Sequence, residues 1–362
     1  MHFSSGLVAS MAIILPILAL PTSSTQSKLL PAADAVPGES SLFVNYAGKK
    51  TPLASKWMKA IAPSASGPAG PDDLLFQNLL SAEWIIYSFY QQAVETFSPC
   101  DFTKLGLPNS TYQRIAEIRD NEAGHVRIFQ NQISDNSMKP GPCKYEYGFG
   151  HNASIFLALQ VYIEVSSMAF LTGLSLLAEA NISKSALMAI GQVETRHNTW
   201  SLIDVYNTSP FSGPSDTIYP YANQILDMTN AFIVPGSCPT ENPVYPTPRQ
   251  DLPRMAFLGN GTTGRPGSNI QFVFDPTGNQ PKFVDGTDYY AVFYHGVNTV
   301  SVPYDPTKNS VQIPKPFDPD TGIVMVSIAD QVDAPTEESV VAGPLIILEQ
   351  PGILTLKEPS VA

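Results

Sequence analysis

The chain has 362 residues, of which 43% are hydrophobic and 14% are charged. This balance is typical of a packed globular protein and excludes a chain that is disordered over most of its length. The formal net charge of -12 and the lack of a clustered run of Lys and Arg exclude nucleic acid as a partner, because binding to phosphates requires concentrated positive charge. The length is sufficient for two ordinary domains.

The N-terminal segment, residues 1–20, contains an apolar stretch from Leu7 to Leu20 followed by small and polar residues. This pattern predicts a secretory signal peptide, and the stretch is too short to span a membrane. Because Lys and Arg are missing before the apolar stretch, an interfacial anchor is the alternative. Residues 21–70 are rich in Pro, Ser and Gly and are predicted to form an arm. We expect a secreted protein, extracellular or in the cell wall, without a membrane anchor.

Four long helices are predicted after the arm, from apolar residues that recur every three or four positions. The connection between the second and third helices, residues 134–150, is long and rich in Pro and Gly. The third and fourth helices are separated by almost nothing and must be antiparallel neighbours. The helices are predicted over residues 72–97, 110–133, 153–180 and 183–206, with a shorter one over residues 221–232.

Two Glu-x-x-His pairs lie on helical stripes that otherwise carry core residues. Two further glutamates lie alone on apolar stripes of the first and third helices. A single Glu-x-x-His pair is often a solvated feature of a helix surface, but two pairs that alternate with two lone glutamates form a coherent set. These residues are Glu83 in the first helix, Glu122 and His125 in the second, Glu164 in the third, and Glu194 and His197 in the fourth.

Burial of four carboxylates without partners would cost several kcal/mol each, an order-of-magnitude figure, so a compensating charge is needed. Two divalent cations balance four carboxylates. Carboxylate oxygens and imidazole nitrogens suit Fe or Mn. The sequence therefore predicts a centre for two divalent metal ions, Fe or Mn, within these helices. Aromatic residues at helical spacing from the ligands, such as Tyr90, are interpreted mainly as core packing, with hydrogen bonding or electron relay as the alternative.

This order of ligands resembles that of ferritin-like di-iron and di-manganese four-helix bundles. The resemblance implies a long crossover between the second and third helices. It also implies that Glu122 and Glu194 bridge the two ions, that Glu83 and Glu164 are terminal ligands, and that His125 and His197 each complete one ion.

The chain is also similar to fungal secreted ferritin-like proteins, a family linked to stress response, desiccation and late sexual development. The similarity rests on the export signal, on NEAGH at residues 121–125, on ETRH at residues 194–197 and on FIVPGSCP at residues 232–239. With the implied crossover, the end of the first helix and the start of the third lie at one end of the bundle. We therefore expect a disulfide between Cys100 and Cys143, which leaves Cys238 free or available for an intermolecular bond.

Residues 241–362 differ in composition, with Pro, Gly and Asp among alternating apolar residues, and predict a β-sandwich-like domain. Strands are expected near residues 270–274, 289–294, 299–302, 322–327 and 345–348. The predicted fold class is multidomain α + β, in which a ferritin-like bundle over residues 71–235 precedes this domain. Glycosylation is predicted at sequons whose Asn, Ser and Thr are equally suited to cap helices, namely at Asn109, Asn152, Asn181, Asn207 and Asn260.

The predicted metal centre favours redox chemistry with O2 or peroxide as the small-molecule substrate. Three reactions fit it: metal oxidation, peroxide disproportionation of the manganese-catalase type, and oxidation of a small organic molecule by an oxidase or oxygenase. The ligand set does not select among them and identifies no further catalytic residue. The alternative function is a structural or cell-wall glycoprotein in which the metal stabilises the fold or the site is vestigial.

Overall fold

The computed structural model describes residues 53–207, 209–211, 217–257, 265–276, 278–317 and 323–348. The predicted signal peptide, most of the predicted arm and the sequon at Asn260 lie outside these residues. The described residues belong to one compact unit.

Helices occupy the first part of the described chain and match the expected pattern. The predicted boundaries of the first three long helices agree with the structure to within three residues, the fourth α-helix ends six residues before its predicted end, and a short helix after the first was not predicted. The helices are α1 (Asp73–Thr96), α2 (Pro99–Thr103), α3 (Thr111–Gln132), α4 (Ala153–Leu177), α5 (Asn181–Trp200) and α6 (Ala222–Thr229). A π-helical turn, Ser201–Val205, continues α5, and a 3-10 turn, Asn230–Phe232, follows α6.

The long helices form a bundle of two closely packed pairs, α1 with α3 and α4 with α5. The helix α4 is apolar on nearly all sides, because it is enclosed by other elements of the protein. With its length and a mean hydropathy of 1.6, this helix would be long and apolar enough to cross a membrane. However, 78% of its 18-residue apolar stretch is buried inside the protein. Its hydrophobicity is therefore accounted for by the core.

The connection between α3 and α4 is the predicted crossover. It runs beside α1 from near its start to near its end, so that α3 and α4 point in the same direction. Side chains of α1 fix its path by hydrogen bonds to its backbone: Gln77 Nε2 donates to Met138 O at 2.6 Å, Trp84 Nε1 to Pro140 O at 2.8 Å and Gln92 Nε2 to Tyr145 O at 3.1 Å.

The disulfide joins Cys143 to Cys238, and Cys100 is free and exposed. The predicted pairing of Cys100 with Cys143 is therefore wrong. Cys143 lies in the crossover beside the middle of α1, whereas Cys100 lies in α2, beyond the end of α1. The chain after α6 returns along the crossover, where Val234 N donates to Lys144 O at 2.9 Å, and this pairing brings Cys238 to Cys143.

Two adjacent acids at the start of α1 connect the helix ends at this end of the bundle. Asp72 accepts hydrogen bonds from the backbone N–H groups of Glu179 and Ala180, between α4 and α5, at 2.8 and 3.1 Å. Asp73 accepts from Ser134 N at 2.9 Å, just after α3. Asp72 and Asp73 thus fix the ends of α3, α4 and α5 relative to the start of α1. The helix positions in turn determine where the inward-facing side chains lie.

In the part of the chain that the structure describes, seven strands form two antiparallel sheets, with the orders β1-β2-β5 and β4-β3-β6-β7 in chain numbering. Together they share a core distinct from that of the bundle, which agrees with the predicted sandwich-like fold. The three-residue strands β1 and β5 were not predicted. The strands are β1 (Met255–Phe257), β2 (Asn269–Phe274), β3 (Tyr289–His295), β4 (Asn298–Tyr304), β5 (Ser310–Gln312), β6 (Ile323–Ala329) and β7 (Val340–Leu348).

The strands β3 and β6 of the four-stranded sheet are buried on both faces. Along β3, Ala291 and Phe293 belong to the core between the sheets, whereas the alternate residues Val292 and Tyr294 belong to the core of the bundle. Met325 in β6 also faces the bundle core. Successive residues of a strand therefore pack into different cores, and one face of this sheet packs directly against the helical bundle.

Candidate metal centre

The structure brings all six predicted ligand residues together in the middle of the bundle. Their side chains come from α1, α3, α4 and α5, on the stripes that face the bundle axis. In α3, for example, Ile118 and Phe129 lie on the same buried stripe as Glu122 and His125. The residues are at most 5% exposed: Glu83 1%, Glu122 0%, His125 4%, Glu164 0%, Glu194 0% and His197 5%.

The six side chains form two groups that share two glutamates. Within each group, one potential ligand atom from every residue lies within 4.8 Å of the others. This spacing suits ligands around a single ion, for which metal–ligand distances are about 2.0–2.2 Å. The first group is Glu83, Glu122, His125 and Glu194, and the second is Glu122, Glu164, Glu194 and His197.

The shared glutamates divide their oxygens between the two histidines. Glu122 places Oε2 2.9 Å from His125 Nδ1 and Oε1 3.0 Å from His197 Nδ1. Glu194 places Oε1 3.3 Å from His125 Nδ1 and Oε2 3.4 Å from His197 Nδ1.

Each remaining glutamate lies beside one histidine only. Glu83 Oε1 is 3.7 Å from His125 Nδ1, and Glu164 Oε2 is 3.5 Å from His197 Nδ1. Two carboxylates thus lie beside both histidines, and each of the other two lies beside one.

Several ligand atoms are buried without a hydrogen-bond partner, which is costly unless another group satisfies them. These atoms face the interior between the four helices, and oxygen and imidazole nitrogen are a donor set that suits Fe or Mn. The residues therefore fit a bound metal ion. The atoms are Glu83 Oε1, Glu122 Oε1, Glu164 Oε2, both oxygens of Glu194, and His197 Nδ1.

Without a metal, the carboxyl groups have divergent proton affinities. Burial raises the pKa of Glu164 to about 8. Burial and the neighbouring Glu122 also raise the pKa of Glu83. Although burial opposes it, the two histidines hold the pKa values of Glu122 and Glu194 below the usual range. Glu164 therefore retains its proton near neutral pH, and a cation that binds here must displace it.

The histidines also favour their protonated form in the metal-free protein. Burial lowers their pKa values, but nearby carboxylates outweigh it and raise both well above the ordinary value. Glu122 has the largest raising effect on His125, and Glu164 has the largest on His197. The buried cluster thus balances its own charge with protons when no cation is bound.

Two residues outside the ligand set orient the ligands of the second group. His197 Nε2 lies 3.2 Å from Asn121 Oδ1 on α3. Because an amide oxygen can only accept, this contact keeps a proton on Nε2, so that Nδ1 is the nitrogen that loses its proton when a cation binds. Tyr90 donates a hydrogen bond to Glu164 Oε1. The sequence pattern did not single out Asn121, although its position directly before Glu122 was the available signal.

A π-helical turn begins four residues after His197 and was also missed, since its residues look like ordinary helix. Ser201, fully buried at its start, donates a hydrogen bond to Gln160 Oε1 on α4. Gln160 lies one helical turn before Glu164, and Ser201 lies one turn after His197. They form a buried polar layer beside the second group, and π-turns inside α-helices are frequent at functional sites.

The predicted sequons differ in their surroundings. Asn109, Asn152, Asn181 and Asn207 are exposed. Asn152 is also the N-cap of α4, where its side chain accepts hydrogen bonds from Ser154 N and Ile155 N. Capping and glycosylation are compatible there, because the cap uses the side-chain oxygen and a glycan is attached through the nitrogen.

The helical part matches a known family. Residues 72–204 match the model of the ferritin-like domain, and this range contains α1 to α5 and all six ligand residues. No curated protein matches the chain. The fold, the site geometry and this match together identify residues 72–204 as a ferritin-like domain, whereas the β sheets lie outside the matched range.

Proposed function

We propose that the protein holds two Fe or Mn ions and uses them for redox reactions with O2 or peroxide. In this proposal Glu122 and Glu194, which belong to both ligand groups, would hold both ions. Glu83 and His125 complete the first metal position, and Glu164 and His197 complete the second. The observation that carries the proposal is the convergence of buried, unpartnered ligand atoms in two groups joined by two carboxylates.

A pair of Fe or Mn ions held side by side supplies a two-electron exchange with O2 or peroxide. The residues of this chain provide the conditions for it. Four carboxylates balance the charge of two divalent ions, and the near-complete burial of the six residues excludes bulk water, which strengthens every electrostatic interaction in the centre. Tyr90 keeps its proton, because burial and Glu164 raise the pKa of its phenol well above the usual value. It therefore acts as a hydrogen-bond donor to Glu164.

A second candidate function is a structural glycoprotein in which the metal mainly stabilises the bundle. Its support is that the ligands come from four separate helices, so ions at this centre would join all four. A vestigial site that binds no metal is a variant of the same function.

The proposed setting is secretion into the extracellular space or the cell wall, in a fungal stress or sexual-development context. The Cys143–Cys238 disulfide supports an oxidising compartment, and exposed sequons agree with it. Expression in a eukaryotic secretory host tests this proposal. We expect protein in the medium that shifts to lower mass on treatment with an N-glycosidase, whereas retention in cells without a mass shift would contradict secretion.

The decisive experiment begins with elemental analysis of protein purified without added metal or chelator. We expect about two Fe or Mn per chain in the native protein, and loss of both in the double variant His125→Ala with His197→Ala, since each ion then lacks its nitrogen ligand. Assays of O2 and peroxide consumption then separate the two functions. Turnover by the native protein that Glu122→Ala abolishes supports the redox function. Bound metal with no turnover, and reduced stability in Glu122→Ala, supports the structural one.

A further inference from the structure

The two metal positions are related by an approximate repeat of the sequence. Glu83 with Glu122 and His125 corresponds to Glu164 with Glu194 and His197. If this repeat extended to the surroundings, both positions would hold a cation equally well. The residues around the two positions differ, and the hydrogen bonds that orient ligands are found at the second position.

At the second position, hydrogen bonds with neighbouring residues hold both ligands that belong to this position alone, His197 and Glu164. Asn121 accepts the hydrogen bond from His197 Nε2 at 3.2 Å, which fixes the ring with Nδ1 directed at the carboxylates and leaves Nδ1 as the nitrogen that a cation can occupy. Tyr90 donates to Glu164 Oε1, which leaves Oε2 directed at His197 Nδ1, 3.5 Å away. Both ligands therefore have their coordinating orientation before a cation arrives.

The first position lacks the corresponding groups. In the repeat, the counterpart of Asn121 is Val193, directly before Glu194, whose side chain has no acceptor to offer to His125. The counterpart of Tyr90, seven residues after the terminal glutamate, is Leu171, which cannot donate to Glu83. The ring of His125 packs instead against Phe129, with centroids 6.1 Å apart.

We propose that Asn121 and Tyr90 are positioning residues that make the second position the tighter of the two, so that it fills with metal first. The proposal rests on the proposed function, because it requires that cations bind. Its physical basis is that a preoriented ligand loses less conformational freedom on binding, and that outer partners of metal-bound histidines typically contribute about 10- to 100-fold in affinity.

The test is titration of the metal-depleted full-length protein with Mn²⁺, followed by electron paramagnetic resonance. Free Mn²⁺ gives a six-line signal, and a coupled pair of Mn²⁺ ions gives a different spectrum, so the first and second binding events are observed separately. We expect two events of unequal affinity in the native protein. Glu83→Ala should retain the tighter event, and Glu164→Ala should lose it.

Variants at Asn121 separate positioning from a general structural role. Asn121→Leu keeps the size of the side chain but has no acceptor. It should weaken the first binding event, which is the tighter one at the second position, about 10- to 100-fold. Asn121→Asp retains an acceptor oxygen and should bind the first ion at least as tightly as the native protein. Val193→Leu, at the equivalent site in α5, serves as the control and should leave the first event unchanged. Tyr90→Phe should weaken the first event without loss of the second.

Thermal unfolding of each metal-depleted variant verifies that it is folded. Two events of equal affinity, or a tighter event that survives Glu164→Ala, would overturn this inference and leave the proposed function intact. Equal weakening by Asn121→Leu and Asn121→Asp would also overturn it, since the acceptor oxygen would then be irrelevant. Failure of the native protein to bind Mn²⁺ or Fe²⁺ would instead contradict the proposed function, and this inference with it.

Discussion

Glu122 and Glu194 face each other across the bundle, and each places one oxygen beside His125 and the other beside His197, at distances from 2.9 to 3.4 Å. Neither glutamate therefore belongs to one of the two ligand groups alone. Loss of a shared ligand should disturb both positions, whereas loss of a terminal ligand should disturb one.

Substitution of a glutamate shared by both ligand groups should lower the metal content of the protein more than substitution of a glutamate that belongs to one group. We expect Glu122→Ala to bind close to no metal and Glu83→Ala to retain about one ion per chain, because only the first position loses a ligand. Metal content after gel filtration, measured by mass spectrometry, checks this. Glu117→Ala, a partly exposed glutamate of α3, is the control and should retain two ions. Equal losses in Glu83→Ala and Glu122→Ala would contradict the bridging geometry.

The metal-depleted protein should become less stable as pH rises from about 5 to about 8. The pKa of Glu164 is raised from 4.5 to about 8 in the folded state, and that of Glu83 is also raised. Folded protein therefore binds more protons than unfolded protein in this range, and the free energy of unfolding falls as pH rises. The raised pKa values of His125 and His197 act in the same direction above their unfolded value of about 6.5.

Thermal unfolding in chelator across this pH range measures the effect, and the gain in Tm on addition of Mn²⁺ should increase with pH. Glu164→Gln, which carries no titrating group, should show a shallower dependence. A free energy of unfolding that is constant or rises with pH in chelator would show that these carboxyl groups are not protonated in the folded protein.

Asp73 should contribute strongly to stability, although it lies far from the ligands. Gly70 N, Ser134 N and the hydroxyls of Ser134 and Ser137 donate to it at 2.5 to 2.9 Å. Although burial opposes it, these hydrogen bonds lower its pKa. We expect Asp73→Ala to lower the free energy of unfolding by about 2 to 3 kcal/mol.

Denaturant unfolding at neutral pH measures this loss, and Glu95→Ala, an exposed acid of the same helix, should stay within about 0.5 kcal/mol of the native protein. The contribution of Asp73 should be present above its unfolded pKa of 3.8 and disappear as pH falls through the lower folded value. An equal effect of Asp73→Ala and Glu95→Ala would contradict the role of these hydrogen bonds.

Thiol titration should find one free cysteine. The unreduced protein should react at Cys100 alone, because Cys143 and Cys238 are joined, and the reduced, unfolded protein should react at all three cysteines. Cys238→Ser should lower stability by about 2 to 4 kcal/mol, whereas Cys100→Ser should have little effect. Peptide mapping that links Cys100 to either other cysteine would contradict the structure.

The contact between the β sheet and the bundle should contribute as much to the free energy of unfolding as ordinary core packing does. Met325 is 2% exposed and faces the helices. We expect Met325→Ala to lower the free energy of unfolding by about 2 to 5 kcal/mol. Val332→Ala, at a side chain that is 52% exposed, is the control and should have little effect. Two separate unfolding transitions, with only the second sensitive to Met325→Ala, would show that the two parts unfold independently.

The positions of the helices could be predicted from sequence because their signals are local. Glu122 and His125 recur on one stripe with Ile118 and Phe129, and this phase is visible without a structure. The predicted fold class is confirmed for the same reason: long periodic helices, Pro- and Gly-rich connections and alternating strands all appear in the order of the chain.

Features that depend on distant parts of the chain could not be read in this way. The pairing of Cys143 depends on the return of the chain after α6, which no local pattern indicates. The strands β1 and β5 have three residues each and owe their conformation to β2. Asn121 is an ordinary polar residue on a helix until α5 is placed beside it. The periodicity thus predicts which side chains face inward, but not the neighbours that orient them.

The disulfide between Cys143 and Cys238 has a consequence for the integrity of the chain. It closes a covalent ring that contains α4, α5 and α6, and with them Glu164, Glu194 and His197, whereas Glu83, Glu122 and His125 lie on the segment before the ring. A protease that cuts the backbone once inside this ring produces two fragments that remain bonded to each other. A nicked molecule therefore still carries every ligand, and only a second cut can release part of the set.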